Sequence, residues 1–113
     1  MAELPWLKQL DVSFTDFRDV ALLKKLPNLK SFGCARCRLK NGIVFSELTG
    51  LEEINIAGAT GGPTLIQLGQ MPKLKKLTIR RRQFGRTALQ RLIKVRPQVR
   101  IVYASGRYRP LGD

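Results

Sequence analysis

Cys34 and Cys37 have two residues between them, a spacing at which two thiolates can share a zinc ion or exchange a disulfide. Zinc takes about four ligands. This chain has two cysteines and no histidine, so an intramolecular zinc site lacks half its donors. The missing histidine also removes the commonest general base. Catalysis would fall to Asp11, Asp16, Asp19, Glu47, Glu52 and Glu53, of which Glu52 and Glu53 are chain neighbours rather than a convergent pair. No nucleophile, base and orienting group assemble from these residues, and an enzyme is not expected. Gly58-Ala59-Thr60-Gly61-Gly62-Pro63-Thr64 lacks the Lys-Ser/Thr that meets phosphates, so it reads as a turn. No metal or cofactor is expected.

Arginine offers a different chemistry. Arg80-Arg81-Arg82 is joined by Lys73, Lys75, Lys76, Arg86, Arg91, Lys94, Arg96, Arg100, Arg107 and Arg109. The planar guanidinium fork suits carboxylate and phosphate alike, and Phe84, Tyr103 and Tyr108 are interspersed where they could stack on bases. Residues 71–113 hold thirteen basic groups against Asp113 alone, which accounts for +12 of the net charge of +13. The rest of the chain is close to neutral, so an acidic partner is expected at the cationic end.

The elements that must carry these groups come from a sequence repeat. Segments beginning at Leu4, Leu26, Leu48 and Met71 align at spacings of 22, 22 and 23 residues. Three residues in stand Leu7, Leu29, Leu51 and Leu74; six in, Leu10, Phe32, Ile54 and Leu77; eight in, Val12, Cys34, Ile56 and Ile79. All are apolar. Pro5, Pro27 and Pro72 follow three of the starts, and Thr49 the remaining one. Strand side chains alternate faces, so positions six and eight point into a core while five, seven and nine point out. That places Asp11, Ser13, Gly33, Ala35, Asn55, Ala57, Thr78 and Arg80 on an outward face open to a partner. A second apolar group follows each strand: Leu22 and Leu23; Val44 and Phe45; Leu65, Ile66 and Leu68; Leu89, Leu92 and Ile93. It is expected to close the core from the other side, because one unit alone leaves its inner face wet and stacking buries it.

The pattern resembles the shorter repeats of the leucine-rich-repeat family, over residues 4 to about 103. The resemblance implies an α/β solenoid: an arc with a parallel strand ladder on its concave face and short helices or turns on its convex face. It also implies a binding role, although the family's partners are diverse. The family usually has Asn, Cys or Thr eleven residues in, bonding the backbone of the turn; here the series is Thr15, Cys37, Ala59 and Arg82. Turn bonding is therefore expected to weaken from the third repeat, since a buried Arg82 would carry a large desolvation cost. Both cysteines then read as packing residues, Cys34 inward and Cys37 in the turn.

After the fourth repeat, Thr87 is expected to cap a helix through 88–94 that stops by Pro97. A terminal strand near 98–103 follows, then a basic irregular tail over 104–113, leaving 1–103 as one leucine-rich-repeat domain. At the other end Leu4, Trp6 and Leu7 begin the first repeat without a polar cap. Three alternatives stay open there: a longer solenoid, packing on a neighbour, or Trp6 folding over its own repeat. No apolar run reaches the roughly 18 to 20 residues of a membrane span. Two cysteines and the lack of a secretory leader suit an intracellular setting. The expected function is a non-catalytic protein-binding or scaffold module, a subunit or fragment of a larger assembly. Its outward strand face and front edge would engage protein. Lys76, Arg80, Arg81, Arg82, Arg86, Arg91, Lys94, Arg96, Arg100, Arg107 and Arg109 would meet the acidic partner. The alternative is an RNA-binding structural component of a ribonucleoprotein such as a ribosome-like particle.

Overall fold

A computed structural model of the chain describes residues 5–104. Each repeat contributes one strand, β1 Gln9–Asp11, β2 Ser31–Gly33, β3 Glu53–Asn55 and β4 Lys76–Arg80, and β5 Arg100–Ala104 follows. Between strands the chain returns through 3₁₀ helices η1 Val20–Lys25 and η2 Gly42–Glu47, then α-helices α1 Leu65–Gly69 and α2 Arg86–Val95. The strands form one all-parallel sheet in the order β1-β2-β3-β4-β5, giving an α/β fold. Parallel neighbours need a crossover between them, and each helix-bearing return supplies one.

Register follows the repeat. Leu10 lies beside Phe32, Phe32 beside Ile54, Ile54 beside Leu77, and Leu77 beside Ile101. Phe32, Ile54 and Leu77 are buried, with Leu23, Phe45, Leu68 and Leu92 covering them from the helix side. Phe32 packs edge-on against Phe17 at 5.7 Å and tilted against Phe45 at 6.1 Å between ring centroids. The first repeat is less covered, because among the described residues β1 has no neighbour on its outer side: Leu10, Val12 and Phe17 are half-buried where Phe32, Cys34 and Leu39 are buried. Trp6 is 70% exposed and does not fold over its own repeat. Instead the Asn28 side-chain amide donates to the Pro5 carbonyl, tying the first segment down. Leu4 lies outside the described residues, as do Arg107, Arg109 and the tail beyond Ala104.

Each of the first four strands leaves the sheet through a left-handed residue: Phe14 (φ 63°), Arg36 (φ 64°), Gly58 (φ 72°) and Arg82 (φ 68°). The first three are evenly spaced at the repeat length, but Arg82 comes 24 residues after Gly58. β4 is two residues longer than β3, so the fourth turn arrives one residue later than the repeat spacing predicts. This corrects the expectation of weakened bonding for the fourth repeat, whereas the third has Ala59 at that position, whose side chain cannot bond the turn. Arg82 takes the exposed left-handed position, and Gln83 falls where a polar side chain can enter the turn. Gln83 Nε2 donates to the Ile56 carbonyl at 2.7 Å, and its Oε1 accepts from the Gly58 and Arg80 amides at 2.9 and 2.8 Å. Cys37 Sγ makes the equivalent bond two repeats earlier, to the Val12 carbonyl at 3.2 Å.

The glycine-rich loop takes up the extra residue of the third repeat. η1 and η2 begin ten residues after their strand centres, Leu10 to Val20 and Phe32 to Gly42, whereas α1 begins eleven after, Ile54 to Leu65. Gly61 holds φ 68°, and a Cβ there would sit 2.1 Å from the Leu39 carbonyl oxygen. The loop therefore packs against the second repeat too closely for any side chain. Two helix expectations are also corrected. α2 starts at Arg86 with Gly85 as N-cap, so Thr87 lies in its first turn and caps nothing. Ile66 and Ile93 do not close the core: burial of Leu65 and Leu68 in α1, and of Leu89 and Leu92 in α2, turns them outward. Among the described residues no helix is long and apolar enough to cross a membrane.

Candidate binding surfaces

Cys34 follows β2 directly and is fully buried, and Cys37, in the turn, is 1% exposed. Burial pushes the Cys34 thiol well above its usual range, with Cys37 and Asp11 adding to the shift. The thiolate is the reactive and metal-binding form, and burial in apolar surroundings suppresses it. Both cysteines are free, and among the described residues no group of three or more His, Cys, Asp or Glu converges.

The strand face is built from two rows in register, Gln9, Ser31, Glu53, Lys76 and Arg100 in one, and Asp11, Gly33, Asn55, Thr78 and Val102 in the other. The first four members of each row line a shallow groove of about 290 Å³. Gly33 keeps its floor low, since a Cβ there would meet Asp11 Oδ1 at 3.0 Å. Part of the face serves the fold itself. Asp11 Oδ1 accepts from the Ser13 amide at 2.9 Å, Asn55 Oδ1 accepts from the Ala57 amide at 3.0 Å, and Ser13 Oγ accepts from the Ala35 amide at 2.9 Å.

Ala35 and Ala57 do not belong to this face. They are 0% and 2% exposed because β2 and β3 end at Gly33 and Asn55, so the ninth position already lies in the turn. Arg80 remains in the sheet only because β4 is longer. Its aliphatic stem and that of Arg36 both pass Gly58, where a Cβ would meet Arg36 Cδ at 2.9 Å and Arg80 Cδ at 3.2 Å. Arg36 thus joins the cationic side of the sheet. Only the left-handed turn position it occupies, which glycine would ordinarily take, could have marked it in sequence.

The cations divide by environment. Lys76 and Arg100 stand side by side in register on β4 and β5. Arg81 lies over the Tyr103 ring at 5.0 Å from the centroid, a cation–π contact. Arg82, Arg86, Arg91 and Lys94 are exposed. Arg96 is occupied internally: Nη1 donates to the Gly69 and Met71 carbonyls at 3.0 and 2.6 Å, and Nη2 to that of Pro72 at 3.2 Å. The carboxylates pair elsewhere, Glu47 with Lys24 at 2.8 Å, and Glu52 with Lys75 at 3.3 Å and Lys30 at 3.8 Å. Among the described residues none lies within 4.0 Å of Arg80, Arg81, Arg82, Arg86, Arg91, Lys94 or Arg100.

Comparison with known proteins finds no family model that matches the chain and no curated protein that matches it.

Proposed function

We propose that the chain is a leucine-rich-repeat solenoid acting as a non-catalytic protein-binding module, with its strand face on protein and its last repeat against an acidic part of that partner. The solenoid reading is supported by strands paired in chain order with equivalent repeat positions side by side. One observation carries the functional reading. Lys76 and Arg100 are like charges in register on neighbouring strands, an arrangement that destabilises a sheet by roughly a few tenths of a kcal/mol. No described carboxylate within 4.0 Å relieves Arg100. An acidic partner supplies the missing counter-charge. Asp11 and Glu53 share the face with these cations, a mixed pattern that suits a protein surface and repels a uniformly anionic polymer.

The test places a photo-crosslinking amino acid at Ser31 or Thr78 on the strand face, and at exposed Lys25 as the control. The expected result is a protein adduct from the two strand-face positions and none from Lys25. Adducts that disappear with nuclease, or that form equally at Lys25, would reject the reading. A second reading, attachment to RNA, is favoured by Arg81 over Tyr103, since arginine and an aromatic ring together form a surface on which bases stack. It requires affinity for single-stranded RNA that falls log-linearly with salt, with a slope that flattens in an Arg80/Arg81/Arg82→Ser variant.

A further inference from the structure

Ile66 in α1 and Val95 in α2 are 75% and 69% exposed, although Leu65, Leu68, Leu89 and Leu92 on the same helices are buried. Both line a groove of about 360 Å³ between the two helices, with Leu92, Gly69 and Ala88 among its apolar walls and Arg91 as its only charged wall residue among the described residues. Gly69 sets its depth, since a Cβ there would stand 3.3 Å from Leu92 Cδ1. Arg96, the C-cap of α2, reaches the carbonyls of Gly69, Met71 and Pro72 and so ties the C-terminal ends of the helices together. The groove is held in shape by the fold.

We infer that this groove docks an acidic amphipathic helix of a partner protein. Its walls are helices, whose backbone groups bond along their own axes, so an occupant finds few backbone partners and must satisfy its own. A helix does so, and one about 10 Å across can lay a narrow apolar stripe between Ile66 and Val95. Charge selects an acidic one. Residues 71–104 hold eleven basic groups and no acidic one. Lys94 is three residues from Arg91 and therefore its neighbour on the helix surface. Among the described residues neither has a carboxylate within 4.0 Å. A second copy of this chain is a poor occupant, because a two-fold contact here would bring together two grooves that each carry Arg91 and no acidic lining residue. The groove lies on the helix side of the core, away from the strand face, so this inference goes beyond the function proposed above and stands separately from it.

The probe is a fluorescent peptide of about 18 residues, five helical turns, with Leu at every third or fourth position, Glu on both flanks and Ala elsewhere. Anisotropy should show saturable binding to the full chain, weakened at least about tenfold by Ile66→Ser and by Arg91→Glu. Both residues are exposed, so neither change disturbs the core. A Lys-flanked peptide should bind at least about tenfold more weakly to the natural chain and recover on Arg91→Glu. Glu53→Lys, on the strand face, should leave this binding unchanged whatever it does to the crosslinked partner. Three results would overturn the inference: no binding of the acidic peptide, equal binding of a proline-interrupted version, or a dimer in light scattering that Ile66→Ser dissociates.

Discussion

Gln83 and Arg82 exchange the roles that repeat spacing assigns them, and the exchange can be measured. Gln83 makes three hydrogen bonds that join the third and fourth turns, so Gln83→Ala leaves two amides and a carbonyl to find other partners. Urea unfolding should report a loss of about 2–3 kcal/mol. Arg82 carries a left-handed backbone that glycine adopts without strain, so Arg82→Gly should hold or raise stability, by up to about 1 kcal/mol. The reverse ranking would place the turn-bonding side chain at Arg82. Asp19 offers a pH test. The Asn41 side-chain amide and the Ala21 amide donate to its carboxylate at 2.8 and 3.0 Å and hold its pKa below the usual value. A lowered folded-state pKa contributes stability that is present above the unfolded value, about 3.9, and is lost as pH falls through the folded one. Acid unfolding of Asp19→Ala should therefore begin from lower stability at neutral pH and depend less on pH below about 4. Identical acid limbs would show that the bonds do not form in solution.

The strands were legible in sequence because position and chemistry repeat together: Leu10, Phe32, Ile54 and Leu77 recur on the inner row, and pairing one puts all in register. The turns were less legible, since a one-residue change in strand length moves every later turn position without altering the apolar spacing. Repeat spacing alone therefore puts Ala35 and Ala57 on the outward face and aligns Arg82, rather than Gln83, with the turn-bonding position. Helix facing was ambiguous for a related reason. Leu65, Ile66 and Leu68 are all apolar, and packing rather than composition decides that Ile66 faces out. Glycines test the element boundaries. Gly61→Ala places a methyl on the Leu39 carbonyl at a left-handed position and should cost more than about 2 kcal/mol. Gly85→Ser meets nothing within 4 Å, lies at the α2 N-cap, and should change stability by only a few tenths of a kcal/mol. Equal effects would mean that the loop does not pack on the second repeat. On the sheet, Arg100→Glu replaces a like-charged neighbour of Lys76 with an opposite one. It should raise the unfolding free energy by roughly 0.5 kcal/mol while weakening attachment to an acidic partner.

At the scale of the molecule, Glu47 and Glu52 pair with Lys24, Lys30 and Lys75, whereas among the described residues no carboxylate lies within 4.0 Å of Arg80, Arg81, Arg82, Arg86, Arg91, Lys94 or Arg100 in the last repeat and β5. Net charge and its crowding at one end were plain from the residue list. The list could not show which cations are available, because Arg96 is bonded internally through contacts that exist only once α1 and α2 are side by side. Nor could it separate carboxylate from phosphate as the counter-charge, since guanidinium binds both. The mixed strand face is what favours protein. The most direct measurement is affinity capture with the natural chain, with Glu53→Lys and with Arg80/Arg81/Arg82→Ser, each with and without nuclease. A protein retained by the natural chain after nuclease, and lost with both variants, is the predicted result. Loss of all bound material from the natural chain on nuclease treatment, with Glu53→Lys behaving like the natural chain, would contradict it.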